Sequence, residues 1–368
     1  MNEHHTGDER YLNASTRQLI WWRFKKHRLA MVGLGVVCAL YLSAVFCEFL
    51  VPYDKDARHS DSIYASPSPV RFFDEEGRLC WPFVYRRYPR VDPHTYQRVY
   101  VEDTTEKFPI RFFVRTSEYD FWGLWRSNLH LFGVDPPGRV FLFGTDRMGR
   151  DLFSRCIHGS RVSLSIGMIG VFLSLILGLT LGGISGYIGG WPDTIIQRII
   201  EVIRCFPSIP LWMGLSAAMP PHWSPLKVYF VITIILSFVG WTDLARVVRG
   251  KLMSLREEEF VLAARFAGAS HARIIFRHLL PSFTSHIIVT VTLAIPGMVL
   301  AETGLSFLGI GLRPPVTSLG VLLKEAQNIT TVALFPWLLI PVAFVIITVL
   351  SFNFVGDGLR DAVDPYSP

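Results

Sequence analysis

Glu257-Glu258-Glu259-Phe260-Val261-Leu262-Ala263-Ala264-Arg265-Phe266-Ala267-Gly268-Ala269-Ser270, continued by His271-Ala272-Arg273-Ile274-Ile275-Phe276-Arg277-His278-Leu279-Leu280-Pro281, is a charged, alanine-rich island between two long apolar blocks. Its three leading acids favour the positive N-terminal end of a helix. Gly268 can take the left-handed conformation that ends that helix. Ser270 is an acceptable N-cap for a second helix, and Pro281 closes the unit before the next block. The stretch therefore reads as helix, turn, helix. Ala263, Ala264, Ala267 and Ala269 give it a small-sided surface that another protein can approach closely. A rigid, basic, exposed helix pair between two spans suits mechanical coupling better than catalysis.

Outward from this island the chain is membrane material. A spanning helix needs about 20 mostly apolar residues, and six blocks meet or approach that length: 29–51, 163–184, 195–218, 226–241, 283–305 and 332–354. The fourth is the shortest and is expected to extend towards Val247. The 368 residues are 50% apolar and only 18% charged, where a soluble domain carries about 25% charge, so a freely soluble enzyme is a poor fit. Aromatic content of 13% and glycine without a fixed period exclude a disordered or collagen-like chain. The first block starts too late, is too long, and lacks the small-residue pattern of a cleaved signal peptide. Arg17, Arg23, Lys25, Lys26 and Arg28 precede it, with no acid between Thr16 and Leu29, which places the N-terminus in the cytoplasm. With six spans the loop 248–282 is cytoplasmic too, and its Arg249, Lys251, Arg256, Arg265, Arg273 and Arg277 agree independently. The C-terminus is then inside and residues 52–159 outside. The net charge of +6 and pI near 9.1 reflect this topology, and no basic patch interleaved with aromatics marks a nucleic-acid surface.

The expected organisation is an amphipathic cytoplasmic helix within 1–28, a first span at 29–51, an external insertion at 52–143, a membrane core at 144–355 and a cytoplasmic tail at 356–368. The plain alternative to the N-terminal helix is an ordinary positive flank. The insertion is rich in Pro, Tyr, Phe, Arg and Asp and has no long apolar run. Arg71-Phe72-Phe73 entering Asp74-Glu75-Glu76-Gly77, and Val99–Val101 joined through Glu102–Thr105 to Ile110–Val114, predict a strand with a turn and a hairpin. A docking surface for an external partner and a lid over the helix ends fit this segment equally. Gly178, Gly182, Gly186 and Gly190 recur every four residues, which predicts one helix face open to a neighbouring backbone. Arg198, Glu201 and Arg204 open the third span at a spacing that allows pairing, and Pro207 and Pro210 are expected to kink or interrupt it, or to mark a late start. Glu302, at the outer end of the fifth span, is either a pathway carboxylate or a structural one bonded to backbone. Cys80 and Cys156 share the outer side without any spacing that demands a bridge, and no CxxC or HExxH spacing suggests a metal.

The island also resembles the signature loop of the permeases of ATP-binding cassette (ABC) importers: E-A-A, three residues, G, nine residues, then I-x-L-P. Leu262-Ala263-Ala264, Gly268 and Leu280-Pro281 fall at those positions; Leu262 replaces the acid and His278 the isoleucine. Gly144-Thr145-Asp146-Arg147-Met148-Gly149-Arg150-Asp151 resembles the G-T-D-x-x-G-R-D stretch of the C-type permeases of dipeptide, oligopeptide and nickel importers. Gly159–Leu164, Gly186–Gly190, Phe206-Pro207, Leu305–Leu312 with Pro314-Pro315, and Gly356–Pro365 continue the likeness. The insertion is longer than the usual loop of that family.

The resemblance implies an all-α, six-helix type I ABC importer permease in the bacterial inner (cytoplasmic) membrane, here with a small mixed, partly β periplasmic insertion. It implies a second homologous permease, two ABC ATPase subunits holding ATP and Mg, and a periplasmic solute-binding protein as partners, with no cofactor on this chain. It makes Leu262, Ala263, Ala264, Gly268, Ala269, Leu280 and Pro281 the ATPase-coupling loop, and leaves Arg198, Glu201, Arg204, Pro207 and Glu302 as pathway or interface candidates. The chain has no Walker A loop, since Gly250-Lys251 is followed by Leu252, and no G-x-S-x-G elbow. A secondary transporter would need inverted repeats and midplane carboxylates, and an intramembrane enzyme a nucleophile paired with a base; neither pattern is present. The substrate stays open among peptides, nickel complexes and oligosaccharides.

Overall fold

The computed structural model describes residues 15–73, 77–94, 96, 98–220 and 222–364. The acidic turn expected at 74–76, residues 1–14 of the N-terminal stretch and residues 365–368 of the tail lie outside the described residues. Five described helices are long and apolar enough to cross a bilayer: Arg28–Val45, Leu152–Ile188, Pro225–Leu255, Thr284–Phe307 and Pro336–Val363. A sixth span results if Gly190–Cys205 and Ser208–Ala217, bent by 86°, are one broken crossing. The bend falls at Pro207, whose neighbour Phe206 is extended; Pro210 lies inside the second piece and breaks nothing.

Capping explains where the helices depart from the apolar blocks. The second begins at Leu152, well before 163, because Asp151 accepts hydrogen bonds from the Ser154 N–H (2.8 Å) and hydroxyl (2.6 Å). Ser224 and Pro225 start the fourth, which runs to Leu255. The block at 332–354 is not one helix. Asn328 caps a short helix Ile329–Leu334, and Pro336, which cannot donate to it, opens a 3₁₀ turn Pro336–Leu339 that leads into Ile340–Val363. The last span is thereby displaced towards the C-terminus and takes in most of the expected tail.

The chain divides into two compact units. One comprises residues 1–38, 165–305 and 346–368. In it Ser15 and Gln18 form a capping box for the helix Thr16–Lys26. That helix buries Phe24 against Ala30, Val355 and Ala362, with Ile20 and Leu359 alongside. Gly178, Gly182 and Gly186 lie against Pro225–Leu255: a Cβ on them would stand 2.9 Å from Leu244 Cβ, 2.6 Å from the Ala245 carbonyl oxygen and 2.7 Å from that of Arg249. Gly190 lies past the helix end with φ +61°.

The other unit comprises residues 39–164 and 306–345. Its insertion holds an antiparallel sheet of β1 (Arg71–Phe73), β2 (Leu79–Val91) and β3 (Arg98–Pro109), and a separate hairpin of β4 (Arg111–Phe121) and β5 (Trp125–Gly133). The hairpin expected around Glu102–Thr105 is absent. β3 runs through those residues; register jumps from Tyr85↔Lys107 to Arg86↔Asp103, and Asp103 bonds the Thr105 N–H (3.0 Å) and hydroxyl (2.6 Å) within that bulge. Pro109 then ends β3, and Ile110 donates to the Pro82 carbonyl, so β3 pairs with β2 and never with β4. Cys80 and Cys156 are free thiols, so no bridge joins them.

Candidate coupling site

The helix Glu259–Phe266 follows Glu258, which sits at the N-cap without a side-chain cap bond. Its C-terminus closes by two bonds, from Ala269 N–H to Ala264 (3.1 Å) and from Gly268 N–H to Arg265 (3.0 Å), with Gly268 at φ +79°. This is the Schellman arrangement, and it needs a left-handed residue where Gly268 stands. Ser270 caps the next turn by accepting from the Arg273 N–H at 3.4 Å. The second helix is not regular: Ile274–Leu279 is a π-helical turn, and Leu280–Ser282 follows with Pro281 in its first turn. Pro281 has no N–H to continue an α-ladder, which fits a widened turn just before it.

Val261, Ile274, Ile275, Leu279 and Leu280 are buried with Leu244, Val248 and Leu252 of the long helix, and Phe283 and Ile287. The pair is thus seated on an apolar core that it shares with the long helix Pro225–Leu255. Ala264, Ala269 and Leu280 turn towards that core, which corrects the single small-sided surface expected of the four alanines. Leu262, Ala263, Ala267, Gly268 and Pro281 are exposed instead. Phe260, Phe266 and Phe276 join them on the surface, and Phe266 is 90% exposed. Sequence reasoning missed Phe266, although an aromatic side chain two residues before a helix-ending glycine was a usable signal. At the base of the pair, Tyr187 meets His271 edge-on at 5.5 Å. Nearby, Arg249 grips Asp193 through two bonds of 2.6 and 2.7 Å, and Ser185 donates to the same carboxylate.

The pathway candidates separate. Arg198 and Glu201 form an exposed pair at 2.7 Å, while Arg204 bonds Asp243 on another helix rather than Glu201. Asp243, Ser174, Gly240, Met298, Ser208 and Trp212 border a cavity of about 270 Å³ beside the bend at Pro207. The Trp212 indole N–H has no hydrogen-bond partner there. Glu302 is fully buried on Thr284–Phe307.

The stretch Gly144–Asp151 forms a charged knot in the second unit. Asp146 accepts from the N–H groups of Met148 (2.7 Å) and Arg150 (3.0 Å), and from the guanidinium groups of Arg150 and Arg155. Glu325, distant in sequence, bonds both arginines at 3.0 and 3.2 Å. Gly144 and Gly149 have positive φ, and a Cβ on Gly149 would stand 2.0 Å from the His59 carbonyl oxygen. Burial pushes the Asp151 carboxyl up to about 6, against the Ser154 bonds that favour its charge. Removing one member of a buried charge cluster costs about 3–5 kcal/mol. Arg155→Met is therefore expected to lower the thermal midpoint of the purified protein by several degrees, whereas Arg198→Ala, in an exposed pair, leaves it nearly unchanged. Equal midpoints would show that the knot does not hold this unit together. Cys47, Glu48 and His158 also converge, with ligand atoms within 4.8 Å of one another, but Glu48 is committed to Arg161 by bonds of 2.5 and 2.6 Å.

Residues 178–366 match the family model described as binding-protein-dependent transport system inner membrane component, and residues 15–67 match that of the N-terminal TM domain of oligopeptide transport permease C. The oligopeptide transport system permease protein OppC of Bacillus subtilis is 38% identical over 251 residues, covering 68% of this chain and 78% of the relative. The dipeptide transport system permease protein DppC of Alkalihalophilus pseudofirmus is 40% identical over 230 residues, covering 62% and 73%. A solved inward-facing form of the MetNI methionine ABC transporter aligns with a TM-score of 0.45 at 18% identity, over 58% of this chain and 98% of that one.

Proposed function

Given that this chain belongs to the binding-protein-dependent transport system inner membrane components, we propose that it carries peptides or similar solutes across the bacterial inner membrane together with a second, homologous permease. The chain is an ABC transporter permease subunit and not an enzyme. Two separate ATPase subunits bind ATP and Mg and dock on the helix pair 259–282, and a periplasmic binding protein delivers the solute. Leu262, Ala263 and Gly268 lie in the docking face with Phe266, while Ala264, Ala269 and Leu280 join that face to the bundle and Pro281 sets the exit angle. One observation carries this reading: an exposed apolar surface is displayed by a turn locked at φ +79° and seated on a buried core. Peptides are favoured as cargo by the names of the relatives.

The arrangement requires both termini inside and the insertion outside, as the two arginine-rich loops indicate. In intact cells a membrane-impermeant thiol reagent is expected to modify a cysteine placed at Ser117 and not one at Ser270. The tagged chain is expected to co-purify with two ATPase chains. Labelling at 270 from outside, or purification without ATPases, would overturn the assignment.

A further inference from the structure

The tip of the β4–β5 hairpin is unusually apolar for a turn facing water. Trp122, Leu124 and Trp125 are 54%, 74% and 58% exposed. Trp122 and Gly123 both have positive φ, with Leu124 donating back to Phe121 at 2.9 Å. Such a turn prefers Asn, Asp or Gly at its first central position. Tryptophan there is strained, which points to a use for the ring rather than for the turn.

The hairpin's height is fixed by the segment that follows the first span. His130 on β5 sits between the carbonyls of Val51 (2.5 Å) and Ser117 (3.0 Å). Phe113 on β4 lies 6.2 Å from Phe49, and Phe121 stacks on Phe46 at 6.1 Å. The Trp122 indole donates to the Val45 carbonyl at 3.0 Å. Moving back along the chain from Val51 to Val45 thus moves along the hairpin from base to tip. Val45 is the last residue of the apolar helix Arg28–Val45. Leu42, Val45 and Phe46 are themselves exposed. The aromatic tip is therefore level with the end of a membrane span and continuous with its outward-facing apolar surface.

We infer that residues 121–125 form an interfacial anchor that sits in the headgroup–acyl boundary of the leaflet at the Val45 end of the first span. Tryptophan favours that zone because its ring is apolar and its N–H is polar. Here the N–H is already satisfied by Val45, which leaves the ring for lipid. Arg161, held by Glu48 and the Ala44 carbonyl, stacks over the Trp122 ring at 4.5 Å and fixes it. Directly above the Phe121↔Trp125 rung stands Asp120↔Arg126, an exposed ion pair at 3.3 Å, where polar headgroups would lie. The order from lipid to water is thus apolar tip, aromatic rung, charged rung. Interfacial elements bury their apolar face about 5–10 Å deep, which suits a tip of this size.

The test uses the full chain in its assembled complex in phosphatidylcholine nanodiscs. Its five cysteines are replaced, and a bimane is attached at Leu124→Cys. The bimane is expected to lose most of its emission when the lipids carry bromine near the top of their acyl chains, and to be quenched by iodide several-fold less than bimane on a free thiol. In parallel, a photo-crosslinking amino acid at position 124 of the otherwise unaltered chain is expected to yield phospholipid adducts. Full iodide access with no bromine quenching would overturn the proposal. So would shielding that appears only when a binding protein is added, or adducts to protein alone, since the tip would then be a protein-docking face.

Discussion

Phe266→Asp is expected to release the ATPase subunits from the membrane while the permease stays inserted and folded. Phe266 is the most exposed large apolar side chain of the helix pair and contributes nothing to the chain's own core. Its removal should therefore leave stability nearly intact. Aromatic anchors of this kind typically carry at least about 2 kcal/mol of an interface, a weakening of roughly 30-fold or more. Gly268→Val is expected to act differently. A Cβ there meets nothing within 4 Å, so the penalty is that of φ +79° alone, roughly 1–2 kcal/mol. The turn should loosen while the docking face survives, so ATPase subunits stay bound but respond poorly to a loaded binding protein. Ala264→Asp is a less clean test than its position in the motif suggests, because Ala264 packs on the apolar core and a carboxylate there also damages the helix pair. Pull-down of the ATPases and substrate-stimulated ATPase activity in proteoliposomes separate the cases. If Phe266→Asp and Gly268→Val both assemble and remain fully stimulated, this helix pair does not couple hydrolysis to transport.

What was legible in the sequence was whatever depends on local chemistry. The glycine stripe, the stop at Gly268, the cap at Ser270 and the break at Pro207 each follow from one residue's backbone preference or from helical spacing, and each has its counterpart in the structure. Features decided by distant partners were not legible. The turn-like run Glu102–Thr105 is held in a strand because β2 supplies a ladder that a bulge can rejoin. Arg204 chooses Asp243 over its helix neighbour Glu201, and Glu325 closes the knot around Asp146, because tertiary packing brings those groups together. The sixth apolar block holds a span whose boundaries shifted for a third reason. Composition alone cannot see that Asn328, just before the block, caps a short helix running into it and that Pro336 ends that helix, although both residues were visible. In the helix pair 259–282 the turn was readable residue by residue. Which alanines face outwards was not, because an eight-residue helix has faces on every side and only the core beneath it selects one.

The same glycine stripe yields the largest expected loss of folded protein. Gly182→Val would place a Cβ 2.6 Å from the Ala245 carbonyl oxygen and 2.9 Å from its Cα. Both are backbone atoms of a continuous helix, so no rotamer change can relieve the clash. The two helices are also fastened above and below this point. Ser237 donates to the Gly170 carbonyl at 3.0 Å and Ser174 to that of Ser237 at 3.2 Å, while on the other side Asp193, on the helix Gly190–Cys205, bridges Arg249 of the long helix and Ser185 of the glycine helix. Separating the helices at Gly182 therefore strains those bonds as well as the packing. Overpacking a core typically costs about 1–3 kcal/mol and occasionally more, and two added methyls against fixed backbone belong at the upper end. Two nearby glycines serve as internal standards. At Gly183 an added Cβ comes no closer than 3.4 Å, to an Ile275 methyl, and at Gly250 it meets nothing. Gly183→Ala is expected to be tolerated, and Gly250→Ala, inside a helix, to be neutral or mildly stabilising. Fluorescence-detected size-exclusion after a temperature ramp gives the comparison directly: Gly182→Val should show little monodisperse protein and a midpoint many degrees below both alanine variants. A Gly182→Val chain as stable as Gly250→Ala would mean that these two helices do not rely on close backbone approach.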